Sequence, residues 1–394
     1  MTVLAPVRLG RRDASLRERA TGRDSPLRRL DWVLGLAVLA LIGIGSLLVW
    51  SATRQRMLDA DLDPQAFLKR HLINAVIGMT LASVATLVDY RSLQAYAPVV
   101  YLASCLGLVA VLTPLGSTIN GAHSWIVLGG GFQVQPAELA KVALVVGMAM
   151  LLADVRDPER GPRDGDVVLV LALAAVPIAL IMLQPDLGTV LVLVFIVLGV
   201  LAMSGAPLRW VAGLLVAGAL VCVTAVQAGV LDDYQVDRFA AFANPELDPR
   251  GVGYNTNQAR IAIGSGGLLG KGLFEGTQTA GRFIPEQQTD FVFTVAGEEL
   301  GLVGASVLLA LLGTVLWRGL RIASRSPDPF GRLLAAGVVC WFSFQSFVNV
   351  GMTLGIMPVT GLPLPFVSYG GSAMFANLVA VGLLQNVHLS SREL

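Results

Sequence analysis

Charge is scarce in this sequence: only 14% of its 394 residues are Asp, Glu, Lys or Arg, against roughly 25% in ordinary soluble domains. No stretch is polar enough for a large water-soluble part. The three cysteines, Cys105, Cys222 and Cys340, each lie inside an apolar run, so no disulfide framework or zinc spacing exists. They read as small packing residues. The three histidines, His71, His123 and His388, are scattered and form no metal motif. A net charge of +1 provides no field to attract nucleic acid, which is excluded as a partner.

Apolar residues are what the chain has in abundance, at 55%. Runs of about 20 residues recur from end to end, each able to cross about 30 Å of hydrocarbon. The pattern predicts an all-α polytopic membrane protein of ten helices. Its spans fall near 31–52, 72–89, 93–113, 136–154, 166–184, 186–204, 208–230, 291–317, 333–355 and 371–387. The first 30 residues carry eight arginines and no long apolar run. That stretch lacks the short apolar core and small-residue cleavage site of a signal peptide. It reads as a retained, disordered cytoplasmic tail over 1–30, followed by one membrane domain over 31–394.

With the tail inside, alternation of the connections puts 18 of the 28 Lys and Arg residues on the inner side. The positive-inside rule then gives N-in, C-in. Two outward segments stand out, 114–135 and a loop of 60 residues at 231–290. Loops beyond about 12–15 residues in a compact domain are usually functional or disordered. Chemistry is therefore expected outside.

Asp290 ends the long loop, just before the apolar Phe291-Val292-Phe293. Asp is a preferred helix cap, and it is equally a carboxylate held at the membrane surface, where a lipid-anchored substrate would present its sugar. On a continuous helix Glu298 and Glu299 would lie roughly 12 Å deeper. Ionisable groups at that depth face a cavity or an ionic partner. Lys141, three residues after Glu138 on the fourth span, is the candidate partner for a structural ion cluster. Gln135-Pro136-Ala137-Glu138 and Gln184-Pro185-Asp186 read as helix starts, with proline first and an acid in the first turn. Asp186 also faces outward, where it has room for a role in a site.

The glycine-rich run from Gly264 to Gly272 fails as a nucleotide loop, because Ser265 and Gly272 stand where glycine and Ser/Thr are needed. Successive N–H groups there with Lys271 could still form an anion nest, and so could simple flexible-loop glycines. Three prolines between Pro358 and Pro365 forbid a helix. That segment, continuing through Ser368 and Tyr369, is expected to wall a cavity, with Pro363 and Pro365 part of it.

Together these segments resemble the SEDS family (shape, elongation, division and sporulation), and specifically its RodA branch. The resemblance rests on Asn120-Gly121-Ala122 with Trp125, the run from Gln135-Pro136 through Glu138 to Lys141, and Gln184-Pro185-Asp186-Leu187-Gly188-Thr189. It continues with Ala262 to Gly267 and Gly270-Lys271-Gly272, then Thr289-Asp290-Phe291 with Gly297-Glu298-Glu299-Leu300-Gly301. The last marker is Ser368-Tyr369-Gly370-Gly371-Ser372. Pro363 resembles RodA, where the FtsW branch usually carries threonine, and the short C-terminus agrees. The long arginine tail and His123-Ser124 before Trp125 are less typical.

The resemblance implies a peptidoglycan glycosyltransferase that polymerises lipid II outside the cytoplasmic membrane for elongation and shape. It also implies a class B penicillin-binding protein as partner, with other elongation-complex membrane proteins. The family's invariant aspartate falls on Asp290. Such a reaction needs a base for a sugar hydroxyl and positive charge for a departing diphosphate. Asp290 is the expected base. Lys271, Arg238, Arg260, Arg282 and Arg70 are candidates for the diphosphate, with Trp125 as a further substrate contact. A divalent cation, Mg2+ or Mn2+, is an alternative source of positive charge, for which the sequence names no ligands. The competing readings are a lipid II flippase or other transporter, a non-catalytic scaffold, and a division- or sporulation-branch polymerase. The absence of an internal repeat speaks against a transporter.

Overall fold

The structure, a computed structural model, describes residues 29–88, 90–119, 122–129, 132–153, 161–227 and 252–391. The arginine-rich tail up to residue 28 and Arg238 lie outside the described residues. The chain is mostly helical: α1 (Trp32–Asp59), α2 (Ala66–Leu87), α3 (Tyr90–Val111), α4 (Pro136–Ala153), α5 (Asp164–Met182), α6 (Leu187–Met203) and α7 (Leu208–Gln227). There follow α8 (Val252–Ser265), α9 (Thr277–Gly281), α10 (Val292–Glu299), α11 (Gly301–Arg325), α12 (Pro329–Leu354) and α13 (Gly371–Ser390). Among the described residues, eight helices are long and apolar enough to cross a membrane, and α6 and α7 are the shorter apolar ones. Eight of the ten expected spans thus have a helix of full crossing length and two fall on the shorter α6 and α7, with most boundaries within a few residues.

Three central helices, α4, α12 and α13, bury most of their surface, whereas α2, α3, α5 and α11 keep apolar side chains on the outside. That inversion suits a lipid solvent, in which packing rather than hydrophobic expulsion holds helices together. Small residues permit the close approach. Ala137, Ala140 and Ala143 are buried on α4, and a Cβ added at Gly337 of α12 would come within 2.7 Å of Val145. Helix α12 starts on Asp328, whose carboxylate accepts the N–H of Gly331 at 3.0 Å, with proline next. It ends at Gly355 in the left-handed region, where the Arg260 guanidinium donates to the carbonyls of Leu354 and Gly355, both at 3.0 Å.

One end of the bundle gathers the start of α1 and the last turns of α13. Asp31 and Gln385 exchange two hydrogen bonds of 2.9 Å there, and Arg318 pairs with Asp31. Both termini of the helical array therefore lie on one side, as an even number of crossings requires. The other end, which the arginine distribution assigns to the outside, carries everything that follows.

Three features at that end depart from the expected pattern. The expected loop at 114–135 holds a three-stranded antiparallel sheet, β1 (Gly116–Ile119), β2 (Ala122–Gly129) and β3 (Phe132–Val134), in that order. The described part of the 231–290 loop contains α8 and α9. The eighth span is broken: α10 stops at Glu299, and Gly301 takes φ +65° before α11 begins. The glycine-rich loop fills this break. Lys271 and Gly272 donate their N–H groups to the carbonyls of Glu298 and Glu299 at 3.0 Å, and Leu302 and Val303 donate to Gly267 and Leu268. These bonds satisfy the groups that a helix terminus leaves unpaired.

Candidate active site

Five connections meet at this end around two adjoining cavities. The smaller, of about 210 Å3, is walled by Ser124 and Trp125 of β2, Gln135, Asp186, Asp290 and Thr360 among others. The larger, of about 460 Å3, adds Arg56 from the last turn of α1 and Arg70 and Asn74 from α2. Trp125, Glu286, Thr289 and Tyr369 line both.

Asp290 is placed by its backbone. A turn precedes it, in which the Glu286 carbonyl accepts the N–H groups of Thr289 at 3.2 Å and Asp290 at 3.1 Å. Glu286 holds φ +54° to make that turn, a strained conformation for a residue with a side chain that costs about 1–3 kcal/mol. Its carboxylate accepts from Gln288 Nε2 at 3.1 Å and Thr289 Oγ1 at 3.2 Å. Tyr369 N donates to the Gln288 carbonyl at 2.8 Å, tying the turn to the Ser368–Ser372 segment. From below, Asn349 Nδ2 donates to the Asp290 carbonyl at 2.9 Å. The expected helix-cap role is corrected: the cap of α10 is Phe291, without a side-chain bond. Asp290 instead lines the smaller cavity, where a Cβ at Gly361 would lie 3.5 Å from its Oδ2.

Asp186 is both cap and wall. It accepts from Thr189 N at 3.0 Å and Thr189 Oγ1 at 2.8 Å, while Gln135 Nε2 donates to its Oδ2 at 3.0 Å. The helix there begins at Leu187, so Asp186 is the N-cap and not a first-turn residue. At the other start Pro136 is the first helical residue and Glu138 lies in the first turn, as expected. Pro363 and Tyr369 wall the smaller cavity. Pro365 and Ser368 are buried behind it, with Ser368 Oγ accepting from Leu364 N at 2.8 Å.

The intramembrane cluster is corrected in its pairing. Lys141, 0% exposed, donates to Glu138 at 2.6 Å and to Gln345 Oε1 at 3.2 Å, under the ring of Trp341. Glu298 and Glu299 are not its partners. Because the helix breaks after Glu299, both acids meet the outward loop. Glu298 accepts from Lys271 Nζ at 2.8 Å and from the N–H groups of Gln278 and Thr279, both at 2.9 Å. Glu299 accepts from Ser51 Oγ at 2.6 Å.

Those bonds redistribute the basic candidates. Lys271 is held by Glu298 and lines neither cavity, and its N–H and that of Gly272 are taken by the carbonyls at the helix break, which removes those two donors from an anion nest. Arg260 caps α12, and Arg282 pairs with Asp59 and donates to Gln55 O at 3.1 Å. Among the described basic candidates Arg70 alone reaches either of these cavities, joined by Arg56, which the sequence does not single out. Glu286, Ser124, Thr360, Gln345 and Asn349 were also not singled out. Two amides four residues apart in an apolar span, after Trp341, were the available signal. Among the described residues no three His, Cys, Asp or Glu side chains converge as metal ligands.

Comparison with known proteins gives a consistent picture. A family model described as a cell cycle protein of the FtsW, RodA and SpoVE type matches residues 32–393. A probable peptidoglycan glycosyltransferase FtsW of Geobacter metallireducens is 38% identical over 363 residues, covering 92% of this chain and 95% of the relative. The peptidoglycan glycosyltransferase MrdB of Escherichia coli is 37% identical over 366 residues, covering 93% of this chain and 95% of the relative. Among solved structures, a chain of a peptidoglycan synthase complex that coordinates polymerization and crosslinking aligns with TM-score 0.77 at 36% identity. It covers 92% of this chain and 98% of the other. The rod shape determining protein RodA of Thermus thermophilus aligns with TM-score 0.66 at 34% identity, over 91% and 96%.

Proposed function

This chain belongs to the FtsW, RodA and SpoVE family and is a multi-pass membrane peptidoglycan glycosyltransferase, and from that premise we propose that it polymerises lipid II at the outer face of the cytoplasmic membrane with Asp290 as general base. The observation that carries this reading is the site's division of charge. Asp186 and Asp290 wall one cavity and Arg56 and Arg70 the next, with Glu286, Trp125 and Tyr369 at the junction.

The chemistry follows from that division. A sugar hydroxyl is a poor nucleophile at neutral pH, so its proton must leave as the new bond forms. Asp290 takes that proton from the acceptor's C4 hydroxyl. The acceptor oxygen bonds to the anomeric carbon of the donor as the bond from that carbon to the diphosphate breaks. One in-line displacement converts the α-diphosphate to a β-link without a covalent enzyme intermediate. Arg56 and Arg70 stabilise the negative charge that grows on the departing diphosphate. A divalent cation could add to that charge when bound, and no step above depends on it.

Elongation rather than division is our reading of the branch. Pro363 supports it, whereas the FtsW and MrdB relatives are equally similar. A class B penicillin-binding protein is the partner we infer, since the solved relative of TM-score 0.77 belongs to a complex that both polymerizes and crosslinks.

The test is glycan-chain formation from labelled lipid II by the purified protein, with and without its penicillin-binding protein, beside Asp290→Asn. A general base contributes roughly 10²–10⁴-fold, so the variant should be nearly inactive while still folded. Activity within tenfold of the parent would remove Asp290 from the role. Depleting the protein in its own cell separates the branches, because rounding follows loss of elongation and filaments follow loss of division.

A further inference from the structure

The smaller cavity carries two hydroxyls that the folded chain does not use. Ser124 Oγ and Thr360 Oγ1 are both shielded from solvent, and among the described residues neither has a hydrogen-bond partner. Ser124 is 1% exposed. Burying a hydroxyl without a partner costs stability, so buried polar groups are nearly always satisfied. Two such groups on separate segments of one cavity wall are costs that a ligand would offset.

The remaining lining indicates the class of ligand. Among the described residues no lysine or arginine lines this cavity, while Asp186, Asp290 and Glu286 do, the last shared with the larger cavity. Three acids repel a phosphate and tolerate a neutral molecule rich in hydroxyls. The indole of Trp125 adds an aromatic face. Arg56 and Arg70, the arginines of the site among the described residues, line the larger cavity instead. The two compartments therefore sort a glycolipid by charge, with its diphosphate on one side and its sugar on the other.

We propose that the smaller cavity is the subsite for the acceptor's terminal N-acetylhexosamine, with the hydroxyls of Ser124 and Thr360 hydrogen-bonding its polar substituents. This rests on the polymerase reading. It assigns the acceptor rather than the donor because Asp290 shares the cavity and must reach the attacking hydroxyl. Ser124 and Thr360 select and hold the ring, and they take no part in proton transfer.

The prediction has an unusual sign. If the two hydroxyls were structural, removing them would weaken the fold. A hydroxyl that is unpaired in the substrate-free protein costs nothing to lose, so Ser124→Ala and Thr360→Val should leave thermal unfolding unchanged or raise its midpoint. Substrate binding should suffer instead. In the full-length protein with its penicillin-binding protein, elongation rate is measured against lipid II concentration.

Each variant should raise KM about 3- to 10-fold with kcat within about twofold of the parent. Ser124→Thr and Thr360→Ser should restore it. Lipid II whose acceptor sugar lacks the acetyl group should be discriminated against by the parent and less so by the double variant. A double variant with KM and discrimination both within twofold of the parent would overturn the subsite while leaving a working polymerase intact. A lower unfolding midpoint with unchanged KM would overturn it as well. A parent that makes no chains from lipid II would overturn both this assignment and the reading beneath it.

Discussion

The side-chain amide of Asn349 donates to the backbone carbonyl of Asp290 at 2.9 Å and to that of Leu362 at 2.7 Å. One fully buried residue thereby locks together the segment that carries the carboxylate and the proline-rich segment opposite. One turn earlier on α12, Gln345 repeats the device: its Nε2 donates to Pro363 O at 2.7 Å, while its Oε1 accepts from Trp341 and Lys141. Residues four apart share a helix face. The rigid centre of the bundle thus sets the height and angle of the segment that carries Asp290.

Asn349→Leu keeps approximate volume and removes two hydrogen bonds, one to the part-buried Asp290 carbonyl and one to the buried Leu362 carbonyl. Each loss costs about 1–3 kcal/mol, so the thermal midpoint should fall. A displacement of about 1 Å at the reacting groups can cost roughly 10²-fold in rate, and kcat should fall far more than KM rises. Steady-state elongation kinetics on lipid II check this. A kcat within threefold of the parent would show that Asp290 does not depend on this amide.

Lys141 makes a separate prediction about stability. Its ammonium is fully buried against Glu138, and breaking a buried pair on one side strands the other charge at a cost of about 3–5 kcal/mol. Lys141→Met should be markedly less stable than the parent. Adding Glu138→Gln should recover much of the loss, because no charge then remains unpaired. The comparison is thermal unfolding in detergent, and a double variant no better than Lys141→Met would disprove the pairing.

The basic residues should divide by location. Arg56→Gln and Arg70→Gln remove charge from the larger cavity and should each reduce kcat by roughly 10²-fold, the usual cost of losing a transition-state donor. Lys271→Gln loosens the loop around Glu298, which retains its backbone donors. It should lower the unfolding midpoint slightly with kcat close to the parent. Single-turnover rates at saturating lipid II measure this, and a large rate loss in Lys271→Gln alone would reverse the assignment.

Much of this architecture is legible in the sequence because apolar length is a strong signal in lipid. The position of Asp290 is legible too, since it lies where a long polar loop gives way to an apolar run. The break at Leu300–Gly301 is hidden, because hydropathy continues through it and only backbone partners from the distant glycine-rich loop end the helix. Arg56 escapes notice since α1 continues to Asp59, beyond its expected end, and carries the guanidinium to the larger cavity. The strands over 116–134 are short, and their pairing shifts register between Ser117 and Thr118, which blurs the alternation that would reveal them. Gln345 and Asn349 are visible as polar residues in an apolar span, but the bonds by which they hold the site go to the backbone carbonyls of Pro363, Asp290 and Leu362, which no side-chain pattern reports.

The glycine-rich loop supplies a test that separates packing from anion binding. Gly270 holds φ +81°, and a Cβ there would lie 2.1 Å from the Glu299 carbonyl. Nothing can move to accept it, because that carbonyl belongs to the backbone at the helix break. Gly267 also has positive φ, +57°, but nothing lies within 4 Å of its would-be Cβ. Gly270→Ala should therefore lower the yield of folded protein sharply. Gly267→Ala should cost only about 1 kcal/mol, the ordinary penalty for a left-handed alanine. An anion nest would give a different pattern, with both variants folding normally and both raising KM for lipid II. Expression, thermal midpoint and KM of the two variants decide between these roles. The hydrogen bonds from Lys271 and Gly272 to Glu298 and Glu299 favour packing, because they leave those N–H groups no capacity for a phosphate.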